Sequence, residues 1–128
     1  MRIHRITPKY LILYLSKHYL GELYKTLNLV VQKYGGSSLA SAEAIKNIAH
    51  KIKLKIDKGA NIVSVVSAMG DTTDSLINLA QEITTNPDSR ELDLLLSTGE
   101  LVSSTLLTMA LRSMDIKAIS LTGTQAGI

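Results

Sequence analysis

The sequence contains no cysteine, tryptophan or phenylalanine, and these absences exclude several kinds of protein. Without cysteine the chain can form neither a disulfide scaffold nor a cysteine-ligated zinc site, and it has no thiolate nucleophile. Its absence also fits a reducing, cytoplasmic location. No uninterrupted apolar run approaches the roughly 18 residues that a membrane span needs. The 128 residues are 45% hydrophobic and 20% charged, which is typical of one globular domain or part of a larger one.

Positive charge is concentrated near the amino terminus. Residues 1–27 have five basic side chains and one acidic side chain, a net charge of +4, whereas residues 28–128 have nine basic and ten acidic side chains, a net charge of −1. A nucleic-acid-binding domain carries its basic patch on the folded body. Because this chain does not, we predict no nucleic-acid partner.

Residues 1–27 are predicted to be a basic N-terminal extension that precedes the globular part. They hold four of the five tyrosines and a short apolar run between Lys9 and Lys17. A signal peptide has a longer apolar core and a small-residue cleavage site, and neither is clear here. Three interpretations stay open: an extension without function or a misplaced start, a packing or interaction helix, and a targeting segment.

From residue 28 onward the apolar pattern predicts alternating strands and helices. Buried strands are predicted at residues 29–34, 62–66 and 117–121. Helices are predicted over about residues 41–58, 71–84 and 90–113, the last interrupted near Gly99. This order predicts an α/β fold with a parallel sheet. A glycine-containing loop follows the third strand at once, so we expect an incomplete domain.

Three polar, glycine-bearing loops follow the predicted strands, at residues 33–38, 67–74 and 122–127. Ligands of open parallel sheets gather at this edge. In the first loop Lys33 precedes Gly35 and Gly36, and a lysine beside glycine amides suits a phosphate group. The loop is neither a Walker A motif nor a dinucleotide-binding fingerprint. An ordinary tight turn with an exposed lysine explains it equally well.

The acidic and hydroxyl residues of the later segments also have ordinary explanations. Asp71 and the threonines after it are favoured at a helix N-terminus, and Asp74 suits the first helical turn. Ser97 and Glu100 have the spacing of a capping box. From the residues alone, capping is the better explanation for Glu100.

Four segments considered together resemble the amino-terminal part of bacterial aspartokinases, which are members of the amino-acid kinase family. They are VVQKYGGSSL at 30–39, VSAMGDTTD at 66–74, LLSTGE at 95–100 and LTGTQAGI at 121–128. The resemblance covers residues 28–128. It implies a partial, carbamate-kinase-like amino-acid kinase fold, a mostly parallel sheet sandwiched by helices, of which this chain is a truncated N-terminal part.

The resemblance also implies an activity. Aspartokinase transfers the γ-phosphate of ATP to the side-chain carboxylate of L-aspartate and gives 4-phospho-L-aspartate, the first step towards lysine, methionine and threonine. The implied ligands are ATP, Mg²⁺ and L-aspartate, and the full-length form is expected to be a cytoplasmic homo-oligomer with no membrane partner.

The site residues follow from the same resemblance. It assigns the ATP phosphates to Lys33, Tyr34, Gly35 and Gly36, with Lys33 also catalytic. It assigns aspartate to Ser67, Thr73 and Glu100, which favours substrate binding over capping for Glu100. No residue of this chain is expected to ligate a metal.

The chain departs from the family pattern at a few positions and, more importantly, in its extent. Tyr34 and Ser37 stand where phenylalanine and threonine are commoner, and Thr124 stands where an aromatic residue is frequent. Family members continue with a nucleotide-base pocket, a catalytic aspartate and regulatory ACT domains. The alternative is therefore a catalytically inactive fragment that acts at most as a folding or oligomerisation module, and we favour inactivity for this chain alone. A kinase acting on glutamate or acetylglutamate is a weaker alternative.

Overall fold

The computed structural model describes residues 28–127, so the predictions for residues 1–27 lie outside the described residues. Its strands are β1 (Leu29–Tyr34) and β2 (Asn61–Val66), and its helices are α1 (Ala42–Ile56), α2 (Thr72–Ile83) and α3 (Ser89–Arg112). Short 3₁₀ turns occupy Gly36–Leu39 and Thr124–Ala126. The two strands pair in parallel, with Tyr34 opposite Val66. The predicted α/β class is confirmed.

Helix α1 begins and ends where the sequence predicts. Ser41 precedes the helix, and its Oγ accepts a hydrogen bond of 3.1 Å from the Ala44 amide. At the other end Gly59 has a φ of 86°, a left-handed conformation that glycine adopts without a Cβ clash. These two signals are local, which is why the sequence predicts them correctly.

The core lies between α1, α3 and one face of the sheet. Its buried side chains are Leu39, Ile45, Ile48, Ala49, Ile52, Leu107 and Leu111. Alternate strand residues, Tyr34, Ile62 and Val66, pack against it. On the opposite face of β1, Leu29 is 47% exposed and Val31 is 63% exposed. The helices of the described part therefore cover one face of the sheet.

Helix α3 is continuous, and two predictions about it are wrong. It runs through Gly99 without the predicted interruption. It begins after Asp88, whose Oδ1 accepts hydrogen bonds from the amides of Arg90 and Glu91. Ser97 and Glu100 lie inside the helix, so they cannot form a capping box. A helical glycine costs about 1 kcal/mol relative to alanine, and the close packing of buried Gly99 offsets that cost.

The predicted third strand is not formed in the described part of the chain, where the sheet has two strands. Residues 117–121 are irregular. Ile116 and Ala118 pack on the core, while Ile119 is 74% exposed. The carbonyl oxygen of Ala118 accepts a hydrogen bond of 2.8 Å from Nε of Arg112. The alternating pattern specifies which residues face inward, but a strand also needs a neighbouring strand edge.

Helix α3 is the one helix in residues 28–127 whose length and composition would allow it to cross a membrane. It has 24 residues and a mean hydropathy of 1.4 over its most apolar window. This is weak evidence, because core helices of soluble proteins pass the same test. Leu107 and Leu111 of α3 belong to the core, and the helix packs against both α1 and α2.

Candidate functional site

The turn after β1 lies directly against the loop after β2. A Cβ added to Gly36 would be 2.8 Å from the carbonyl oxygen of Ala68, which is closer than real Cβ contacts. The Gly70 amide donates a hydrogen bond of 3.0 Å to the Gly36 carbonyl. Because the obstructing atom belongs to the backbone, no side chain can move aside. Gly36 is therefore required for this approach of the two loops.

Helix α3 contacts the same loop at Gly99. A Cβ added to Gly99 would be 2.9 Å from the Cβ of Ala68 and 3.4 Å from Cγ2 of Thr72. Ala68 itself is only 4% exposed. The loop after β2 is thus held between the turn that follows Lys33 and the helix that carries Glu100.

These contacts determine where the residues assigned to ATP lie. Lys33 is exposed near the end of β1, and Gly35 and Gly36 follow in the turn. Tyr34 is half-buried, packs against the core, and donates a hydrogen bond of 3.0 Å from its hydroxyl to Oε1 of Gln32. Burial raises the pKa of Tyr34 above its ordinary value of 10.0, so this phenol is neutral at physiological pH.

The residues assigned to aspartate lie next to the same loop. The amide of Ser67 donates a hydrogen bond of 3.0 Å to the Tyr34 carbonyl, which joins Ser67 to the end of β1. Thr73 is half-buried in the first turn of α2. Glu100 is exposed and follows Gly99 directly. The Gly36 turn and the helical turn that bears Gly99 and Glu100 both contact Ala68. Ser67 precedes Ala68 in the chain, and Thr73 follows Thr72, whose Cγ2 lies near Gly99.

The third predicted loop differs from the first two. Thr122 and Gln125 bond to each other, through the Thr122 amide to Oε1 at 3.0 Å and the Gln125 amide to Oγ1 at 3.2 Å. Nothing lies within 4 Å of a Cβ added to Gly123 or Gly127. These glycines make no close approach comparable to those of Gly36 and Gly99.

A cleft of about 450 Å³ lies beside this arrangement. Its lining residues are Ala40, Met69, Gly70, Asp71, Thr72, Ser75 and Leu76. A larger cavity of about 650 Å³ lies at the far end of α3, where Arg112 and Asp115 are among its lining residues. Arg112 is about 20 Å along the helix from Gly99. None of the residues assigned to ATP or aspartate lines either space, although the smaller cleft adjoins Thr73.

Residues 28–127 contain no group of three or more histidine, aspartate and glutamate residues that could hold a metal ion.

Sequence reasoning overlooked two residues of this arrangement. Ala68 has only a methyl side chain, so no chemical motif marks it, and the sequence pattern predicts a helix interruption at Gly99. One signal for both residues is present in the sequence, because each is a small residue next to a polar one. Ala68 follows Ser67, and Gly99 precedes Glu100. Neighbouring residues do not indicate which elements approach each other at Ala68 and Gly99.

The chain belongs to the amino acid kinase family, whose sequence model matches residues 28–128. Within that family it is similar to aspartokinases. It is 52% identical over 102 residues to the aspartokinase of Geobacillus stearothermophilus and 53% identical over 100 residues to that of Mycobacterium tuberculosis. These matches cover 80% and 78% of this chain, but only 25% and 24% of those proteins. The chain thus spans about a quarter of the length of the curated relatives it matches.

A solved structure gives the same result for the fold. The crystal structure of aspartate kinase from Synechocystis matches with a TM-score of 0.70 and 53% sequence identity. The match covers 73% of this chain and 16% of that chain. The predicted family and the partial amino-acid kinase fold are both confirmed.

Proposed function

We propose that this chain forms the phosphate-binding and aspartate-binding part of an aspartate kinase site. In the reaction, a carboxylate oxygen of L-aspartate attacks the γ-phosphorus of ATP, and the products are 4-phospho-L-aspartate and ADP. The observation that carries this proposal is the convergence of the Gly36 turn, the loop at Ala68 and helix α3 in a chain about half identical to aspartokinases.

The chemistry requires charge neutralisation more than proton transfer. The attacking carboxylate has an ordinary pKa of about 4, so it is ionised at neutral pH and needs no general base. The main barrier is the approach of one anion to a polyanion. Lys33 at the end of β1 would offset charge on the transferring phosphoryl group, and the amides of Gly35 and Gly36 would bind phosphate oxygens. Tyr34, whose ring packs against the core, would support this turn.

Aspartate would bind on the other side of the Ala68 loop. Glu100 would pair with the substrate ammonium group, and the hydroxyls of Ser67 and Thr73 would donate hydrogen bonds to its carboxylates. Support for this role comes from α3, because Glu100 lies inside the helix and does not cap it. Among the described residues its carboxylate has no ion pair, so it can accept a cationic ligand.

The remaining parts of the proposal follow from the family. Mg²⁺ bound to the ATP phosphates would neutralise their charge. The product would serve lysine, methionine and threonine synthesis in the cytoplasm, and the full-length protein would be a homo-oligomer without a membrane or nucleic-acid partner.

A second candidate function is an inactive module that folds or pairs with another chain. It is favoured by the face of β1 that no helix of the described part covers, where Leu29 and Val31 are 47% and 63% exposed. Groups of exposed apolar residues commonly mark surfaces that another segment covers.

The two candidates are separated by an assay that couples ADP release to a spectroscopic signal, with and without aspartate. We would test the 128-residue chain and a chimaera in which residues 28–128 replace the matching stretch of the Geobacillus stearothermophilus aspartokinase. We expect aspartate-dependent ADP release from the chimaera and none from the chain alone. A folded chimaera without that activity would contradict the proposed site.

Substitution Glu100→Gln tests the substrate assignment within the active chimaera. Removing the charge should chiefly raise the KM for aspartate, because the ammonium group loses its partner. Glu82→Gln, an exposed glutamate on α2, is the matched control and should leave the aspartate KM unchanged. An unchanged KM in the Glu100 variant would remove Glu100 from the site.

A further inference from the structure

We propose that Ala68 is a positioning residue that sets the distance between the phosphate-binding turn and the helical turn bearing Glu100. This inference rests on the proposed function, since it concerns how the two halves of that site are spaced. Ala68 meets Gly36 through its carbonyl oxygen and Gly99 through its Cβ. Its small volume therefore determines how closely α3 approaches the strand ends.

The loop around Ala68 is tied to the first turn on both sides. The Ser67 amide bonds to the Tyr34 carbonyl and the Gly70 amide bonds to the Gly36 carbonyl, each at 3.0 Å. These two bonds hold residues 67–70 against the end of β1. If a larger side chain on α3 meets Ala68, we therefore expect the helix to move and the loop to stay in place.

The inner face of α3 explains why the helix comes close at this point. Its buried residues, spaced four apart, are Gly99, Ser103, Leu107 and Leu111. Gly99 contacts the Ala68 loop, and the two leucines belong to the core. Ser103 donates a hydrogen bond of 3.1 Å from its Oγ to the Gly99 carbonyl, so its only polar side-chain group is satisfied within the helix.

The contact distances give the expected displacement. A Cβ at position 99 would be 2.9 Å from the Cβ of Ala68. Carbon atoms in contact prefer about 3.5–4.0 Å, so the two Cβ atoms must separate by roughly 0.6–1.1 Å, and we expect helix α3 to make this movement. Glu100 moves with it, whereas the hydrogen-bonded turn at Gly36 stays in place. Gly99→Ala should therefore lower kcat/KM for aspartate and leave the KM for ATP nearly unchanged.

The kinetic test uses the active chimaera with Gly99→Ala, Ala68→Gly and the double substitution. We expect Gly99→Ala to lower kcat/KM for aspartate by roughly tenfold to 100-fold, the range that a 1 Å misplacement can produce, with little change in the KM for ATP. Ala68→Gly removes the opposing Cβ, so the double variant should recover most of the loss. Equal effects on both substrates, or no recovery in the double variant, would overturn the positioning role.

A second measurement tests the contact without activity. Urea unfolding of the whole chain would compare Gly99→Ala with Gly123→Ala, a glycine at which an added Cβ meets no atom within 4 Å. Both substitutions restrict the unfolded chain equally. We expect the midpoint to fall for Gly99→Ala, to hold or rise for Gly123→Ala, and to recover in the Ala68→Gly/Gly99→Ala variant.

The two measurements also separate this inference from the function on which it rests. An active chimaera whose Gly99 and Ala68 substitutions act independently would overturn the positioning role and leave the kinase assignment intact. An unmodified chimaera that folds but releases no ADP with aspartate overturns the kinase assignment, and with it the positioning role.

Discussion

Lys33 and Tyr34 are neighbours in the sequence, but their side chains lie on opposite faces of the sheet. Successive strand residues point to opposite faces. Tyr34 accordingly packs against the core while Lys33 is exposed at the strand end. A motif presents both residues as one unit, whereas the pleat of the strand places the charge on the exposed face and the ring on the core face.

The charge of Lys33 leads to a first prediction. In the active chimaera, Lys33→Ala should lower kcat by roughly 10²–10³, as is typical when one charge-stabilising donor is lost. Lys46→Ala removes an exposed lysine on α1 and should leave kcat unchanged. Steady-state kinetics at saturating ATP and aspartate would measure both variants. A loss of only a few-fold at Lys33 would argue against a role in phosphoryl transfer.

The raised pKa of Tyr34 gives a prediction for alkaline pH. Because burial disfavours the phenolate, the folded state holds its proton more tightly than the unfolded state does. The stability that depends on this proton is fully present below pH 10 and is lost as the pH rises beyond it. Tyr34→Phe removes the titrating group. Urea unfolding between pH 8 and pH 11 should therefore show a smaller alkaline loss for the variant than for the unchanged chain. If the free energy of unfolding falls equally with pH in the variant and the unchanged chain, the Tyr34 ring is not desolvated.

Helix α3 begins where the sequence predicts, but the predicted interruption near Gly99 is absent, which shows where local rules fail. The sequence contains two N-terminal signals, Asp88 and the Ser97–Glu100 pair, and both satisfy the local rules. The folded chain uses the first signal, so Ser97 and Glu100 lie inside a helix that packs against both α1 and α2. Local rules alone would have assigned Glu100 to a cap.

This difference can be tested by unfolding. Asp88→Ala should lower the free energy of unfolding by about 0.5–2 kcal/mol, because two amides of the first turn lose their acceptor. Ser97→Ala should be neutral or slightly stabilising, since Ser97 lies inside the helix, where its Oγ donates to the Leu94 carbonyl, and alanine is the best helix former. If Ser97→Ala is instead the more damaging change, the helix begins later than described.

Within residues 28–127, the buried core residues run from Leu39 to Leu111, and strand and loop residues pack against them. We expect removal of residues 1–27 to leave this part of the fold intact. The circular dichroism spectrum and urea midpoint of residues 28–128 should match those of the full chain. A lower midpoint or a loss of solubility would show that the N-terminal segment packs against the domain.

Residue pattern alone was sufficient for the α/β class, both strands of the sheet, helix α1 with its caps, and the family. Those features depend on apolar periodicity, capping and motif spacing, which are properties of adjacent residues. It did not predict the continuous α3, the unpaired residues 117–121, or the contacts of Gly36 and Gly99 with Ala68. Each of these depends on which elements meet in space, because a strand needs a neighbouring edge and a glycine is needed only where another backbone or methyl group approaches.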